Sequence, residues 1–166
     1  KPLFVGLRQN RSIAAIRLGL NKFTIDDIRS LVSLLTDSDH PSPIRSIDLS
    51  FSSLNDDDIS LLADMLKHRN CKLTSLMLPY NKMTSMGFEA MLSALRHNTS
   101  ITTIDLWNNH FELNDHLVGQ LLALAQSNTT IKLFNYERSS LTPAMMKLIS
   151  ATECKNDNLK KSYQNR

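Results

Sequence analysis

The apolar residues of this chain follow a pattern that changes period and then starts again. One unit reads apolar, two variable, apolar, one variable, apolar, two variable, Asn, one variable, apolar. Ile13, Ile16, Leu18, Asn21 and Phe23 fit it. So do Ile44, Ile47, Leu49 and Leu54, with Ser52 in the Asn slot. Leu73, Leu76, Leu78, Asn81 and Met83 form a third copy, and Ile101, Ile104, Leu106, Asn109 and Phe111 a fourth. A degraded copy follows at Ile131, Phe134, Tyr136, Ser139 and Leu141. The spacings between copies are 31, 29, 28 and 30 residues, which marks an internal repeat.

Each unit has two halves. The alternating apolar positions predict a short strand with one buried face. The Asn slot predicts a turn, with the side chain bonded to neighbouring backbone and the ladder running from repeat to repeat. The pattern then switches to helical period: Ile28, Leu31, Val32 and Leu35, then Ile59, Leu62, Ala63 and Leu66, then Phe88, Met91, Leu92 and Leu95. The fourth copy is displaced by one, at Leu117, Leu121 and Leu124. Helix starts are signalled by Thr24 with Asp27, by Asn55 before Asp56, Asp57 and Asp58, and by Thr142 before Pro143. The acidic run 56–58 suits a helix N-terminus better than a metal site, because carboxylates complement the helix dipole.

One strand–turn–helix unit cannot bury both its faces, so the copies must stack. The predicted fold is α/β: a curved solenoid of about five repeats, with a parallel concave sheet and convex helices. The repeat domain is expected over residues 1–154, with a basic tail at 155–166. The segment LFVGLRQNRSI (3–13) aligns with MLSALRHNTSI (91–101), so the chain is expected to begin inside a repeat and to be a piece of a longer protein.

Composition narrows the function. The 166 residues carry 19 Lys and Arg against 16 Asp and Glu, a net charge of +3. That bias is too small to predict nucleic-acid or anionic-membrane binding. No apolar run approaches the ~20 residues of a membrane helix. Four glycines allow no glycine-rich phosphate loop. Cys71 and Cys154 are read as two reduced thiols. No HExxH, CxxC or GxSxG motif occurs. Asp48 and Asp105 share a column two copies apart, about 10 Å at ~4.8 Å per strand, too far to share a proton. No cofactor, metal, catalytic residue or small-molecule substrate is therefore expected. Asn10, Asn98 and Asn128 are glycosylation sequons, but their common repeat phase is better explained by a turn.

With these residues in view, the chain resembles leucine-rich-repeat proteins of the ribonuclease-inhibitor subtype. The third copy, LTSLMLPYNKMTSMGFEAMLSALRHN, carries the likeness best, with Gly87 where that subtype often has glycine. The resemblance implies a helix on the convex side and binding on the concave side. The segments IKLFNYERSSLTP and CKNDNLKK also resemble the last repeat and tail of tropomodulins, which implies actin-filament capping.

The aromatic residues point to a site. Phe4, Phe23, Phe88, Phe111, Phe134 and Tyr136 take core slots, whereas Phe51, Tyr80 and Trp107 fall at the ends of successive strands. With Leu20 and Met77 they are expected to form an exposed apolar strip, flanked by Arg17, Asp48, Asp105, Glu137 and Arg138. The expected function is non-enzymatic binding of another protein, as an inhibitor or adaptor in the cytoplasm, or in a host cytoplasm for a bacterial effector. The alternative is an actin-capping module.

Overall fold

The computed structural model describes residues 2–136. Glu137, Arg138, the last helix start at Thr142, Cys154 and the tail 155–166 lie outside the described residues. Ten elements alternate: α1 (Pro2–Gln9), β1 (Ala15–Arg17), α2 (Ile25–Thr36), β2 (Ser46–Asp48), α3 (Asp56–Lys67), β3 (Ser75–Met77), α4 (Ser85–His97), β4 (Thr103–Asp105), α5 (Asp115–Ser127) and β5 (Leu133–Asn135). The strands form one parallel sheet in chain order. Each repeat starts a new strand beside the last, and each helix packs on the next one. The curved repeat solenoid is thus the observed architecture.

Register follows the repeat. Ala15, Ser46, Ser75, Thr103 and Leu133 line one column, and Arg17, Asp48, Met77, Asp105 and Asn135 line another. Between them the central residues Ile47, Leu76, Ile104 and Phe134 are buried against the helices. The helix stripes meet them from the other side, although in α2 Leu34 is fully buried and Val32 only partly. Phe88 stacks on Phe111 at 4.1 Å between ring centres inside this layer.

The Asn slots hold neighbouring repeats together. Asn81 Oδ1 accepts the backbone N–H groups of Ser52 and Leu54, and its Nδ2 donates to the Leu49 and Leu78 carbonyls. Asn109 Nδ2 donates to the Leu78 and Leu106 carbonyls, and its Oδ1 accepts from Met83 N–H. A buried turn needs such partners, because an unpaired backbone group away from water is costly. Two of the sequon asparagines are used the same way, whereas Asn10 accepts only from Ser12 and Ile13 of its own turn. Asn98 Oδ1 accepts from Ser100 and Ile101, and Asn128 Oδ1 from Thr130 and Ile131; both side chains are buried and donate to carbonyls of the preceding repeat.

The caps form as the sequence implies, with one addition. Thr24 with Asp27, and Asn55 with Asp58, make reciprocal capping boxes. Asp56, however, reaches across to the next repeat, where it bonds the backbone of Thr84 and Gly87 at the start of α4. That helix has no acidic residue in its own first turn.

The end copies depart from expectation in opposite ways. In the first, Ile13 is 37% exposed, and Ile16, Leu18 and Phe23 are only partly buried. No described strand covers the outer edge of β1, so these residues are packed from one side. Asn21 is exposed and donates only to the carbonyls of Leu18 and Gly19 in its own turn. The fifth copy looks degraded in sequence, yet Ile131, Phe134 and Tyr136 are buried, and β5 pairs in register with β4.

Candidate functional site

The sheet ends in a row of turns, and the main-chain ladder continues into them. Leu20 N–H donates to Ser50 O, Phe51 N–H to Pro79 O, and Tyr80 N–H to Trp107 O. The positions that follow each strand are therefore in register as well. They place Leu20, Phe51 and Tyr80 side by side, with Trp107 one residue earlier in its own repeat.

Phe51 and Tyr80 stack with ring centres 4.1 Å apart and planes within 10°. Trp107 meets Tyr80 edge-on, at 5.0 Å and 81°. The difference follows from repeat phase: Phe51 and Tyr80 are equivalent, and Trp107 is offset by one. The fourth residue at their phase is Asn108. Leu20, Phe51, Tyr80 and Asn108 all have φ between 53° and 63°. This left-handed region suits Asn and is disfavoured for bulky side chains. An aromatic ring there is held against the preference of its own backbone.

The strip is open to solvent. Phe51 is 50% exposed, Tyr80 36%, Trp107 40% and Leu20 82%, whereas Met77, between Asp48 and Asp105 in the strand column, is half-buried. Asp48 Oδ1 accepts the Ser50 N–H at 2.9 Å. Asp105 Oδ1 accepts the Trp107 N–H at 2.9 Å and the Asn135 Nδ2 at 3.0 Å. Each carboxylate thus closes the turn at its strand end with one oxygen. Arg17 is exposed in the same column, and no ion pair joins it to Asp48. Glu137 and Arg138, the last two expected flanking residues, lie outside the described residues.

Two residues of this face were not singled out by sequence reasoning. Leu133 is 51% exposed at the last strand, and Asn135 buttresses Asp105. Their signal is positional: they continue the two outward-facing strand columns, Leu133 after Thr103 and Asn135 after Asp105. A separate concavity of about 550 Å³ lies between α1 and α2, lined by Phe4, Val5, Arg8, Asp26 and Arg29 among others. Its Arg8 is already engaged by Asp37 and Ser33. No group of three or more His, Cys, Asp or Glu residues is placed to hold a metal ion among the described residues. Burial raises the Cys71 thiol pKa above its ordinary value. No helix among the described residues is long and apolar enough to cross a membrane.

No protein-family model matches the chain. It is 29% identical over 129 residues to mouse NACHT, LRR and PYD domains-containing protein 14, a match covering 62% of this chain and 13% of that protein. It is 28% identical over 123 residues to mouse Leiomodin-2, covering 74% of this chain and 22% of that protein. The chain thus spans a small part of the relatives it matches. Among solved structures, Leiomodin-1 Actin-Binding Site 2 superposes with a TM-score of 0.75 at 18% identity, covering 98% of this chain and 87% of that one. The tropomodulin C-terminal domain of Caenorhabditis elegans gives 0.69 at 15% identity, covering 98% and 92%. By repeat pattern, strand register and structural neighbours alike, the chain has the fold of a curved α/β repeat solenoid.

Proposed function

We propose that this chain is a non-enzymatic protein-binding module that engages its partner through the concave strip of Phe51, Tyr80 and Trp107. The observation that carries the reading is the row of three touching, solvent-exposed rings, two of them at left-handed backbone positions. Aromatic anchors with a polar rim are what binding hot spots are made of. Arg17, Leu20, Asp48, Met77 and Asp105 complete the described part of the surface, and Glu137 and Arg138 would extend it. In this reading the module works inside the cell without a cofactor, and the repeat domain runs on to residue 154, followed by the basic tail.

Affinity capture from a cell extract tests the reading, with the native chain beside a Phe51→Asn/Tyr80→Asn variant of matched circular dichroism. A partner retained only by the native chain supports it. A partner retained equally by both moves the site off the strip.

A second reading is favoured by one specific finding. The solved structure that superposes with a TM-score of 0.75 is itself described as an actin-binding site. In that reading the partner is actin. Co-sedimentation with actin filaments and a polymerisation assay decide it. Binding that the strip variant abolishes would name actin as the partner of this face. No co-sedimentation and no effect on filament growth would remove actin.

A further inference from the structure

The strip lies on the acidic side of the solenoid. The segments that leave the strands and open the helices (17–29, 48–58, 77–89 and 105–117) hold ten carboxylates against four cations, Arg17, Lys22, Arg29 and Lys82. The opposite rim, where helices end and strands begin (8–14, 36–45, 67–74, 96–102 and 127–132), holds eight Lys and Arg against two carboxylates, Asp37 and Asp39. Helix dipoles account for part of this, because Asp26, Asp27, Asp56, Asp57, Asp58 and Asp115 stand in first turns. They do not account for Asp48 and Asp105, which stand on strands directly beside the rings. Both bond their own turns through Oδ1, and both side chains are only partly buried.

Spacing then selects the shape of the partner. Neighbouring rows of a sheet repeat at about 4.8 Å, so the row from Leu20 to Trp107 spans three steps, roughly 14 Å. An α-helix laid across the strands presents one apolar residue per turn at about 5.4 Å, close to the row spacing. An extended segment presents same-face side chains about 6.6 Å apart and falls out of step within two rows. Asp48 and Asp105 are two rows apart, roughly 10 Å, which residues seven apart on a helix match at about 10.5 Å.

Resting on the strip as the binding surface, we infer that its occupant is a basic amphipathic helix of the partner protein. Its apolar stripe lies along Leu20, Phe51, Tyr80 and Trp107. Lysines or arginines about two turns apart, beside that stripe, meet Asp48 and Asp105.

The test is a selection of phage-displayed random peptides of about 16 residues, long enough for four helical turns, against the full chain. Asp48→Asn/Asp105→Asn is the companion variant, because Asn keeps the Oδ1 acceptor that each turn uses. Expected are peptides with an excess of Lys and Arg and with apolar residues at i, i+3 or i+4, and i+7. Synthetic copies gain helical circular dichroism on binding. They bind the companion variant about tenfold more weakly, two rim charge pairs each supplying a factor of a few, and lose affinity with added salt. They do not bind Phe51→Asn/Tyr80→Asn. Neutral or acidic peptides that need the rings but ignore the companion variant would overturn the inference and leave the strip intact. Peptides of alternating apolar pattern that bind extended would overturn it likewise, as would no enrichment. Peptides indifferent to the ring variant would overturn both this inference and the function proposed above.

Discussion

Asp56 belongs to one repeat and caps the helix of the next: its Oδ1 accepts the Thr84 N–H at 2.7 Å, and its carboxylate also receives the Thr84 hydroxyl. The same Oδ1 accepts the Gly87 N–H at 3.2 Å. The contact requires glycine, since a Cβ at position 87 would stand 2.5 Å from that oxygen and 2.8 Å from Met83 Cγ. Asp56→Ala is expected to lower stability by about 1 kcal/mol, the usual size of a lost cap. Gly87→Ala is expected to cost about 2 kcal/mol through overpacking. Urea denaturation checks both. In the double variant the two effects should add to less than their sum, because either change already breaks the same contact. Full additivity would show that the cap does not link them.

Asn81 and Asn21 occupy the same slot with different consequences. Asn81 is buried and bonds the backbone of two repeats, whereas Asn21 is exposed and serves its own turn. Asn81→Ala leaves buried donors and acceptors unpaired and is expected to cost about 3 kcal/mol. Asn21→Ala should cost less than about 1 kcal/mol, because water can replace its bonds. Equal losses would contradict the inter-repeat role of the ladder.

Phe51→Asn and Tyr80→Asn should be nearly neutral for folding. Relief of the left-handed backbone gains about 1 kcal/mol, and loss of the ring contact costs about the same. Thermal melts within a few degrees of the native chain, each about 1 kcal/mol shift moving the midpoint by a few degrees at this size, would confirm that the rings are dispensable to the fold. A drop of 3 kcal/mol or more, on the order of a core deletion, would make them core residues instead.

Carboxylates at two helix ends make stability pH-dependent. Hydrogen bonds from Thr24 hold Asp27 below its usual pKa of 3.8. A backbone hydrogen bond from His40, helped by Arg8, lowers Asp37 in the same way. A lowered folded pKa means the proton binds the unfolded chain more tightly. Their contribution is therefore complete above pH 3.8 and is lost as the pH falls through the lower folded values. Replacing both by Asn should flatten the stability profile below about pH 4 and leave its shape at pH 6–8 unchanged. A profile that flattens at neutral pH instead would assign the dependence to other groups.

Cys71 is buried, and desolvation raises its thiol pKa. The thiolate is the reactive form. A thiol reagent at pH 7 should label this position only as the protein unfolds, at a rate that rises with urea. Immediate labelling at Cys71 in native buffer would refute its burial.

Much of the architecture is legible in the sequence, because the repeat states it several times. A period-2 strand, an Asn turn and a period-3.6 helix at nearly constant spacing leave one way to bury both faces. That fixes the parallel sheet, the capping boxes at Thr24 and Asn55, and the position of Phe51, Tyr80 and Trp107 at the strand ends. Repeat grammar describes what each copy does for itself. The tertiary structure decided what passes between copies. Asp56 serves the neighbouring helix, Asn135 supports Asp105, and Leu34 replaces Val32 as the buried residue. It also decided that Ile13 is exposed at the β1 edge, whereas Ile131, Phe134 and Tyr136 of the degraded fifth copy are buried. Burial depends on which neighbour is present, and a local pattern holds no record of that. The strip shows both limits. Sequence placed the three rings in one row, but only the folded backbone shows two of them stacked and the third turned edge-on, with left-handed φ where the ladder bends.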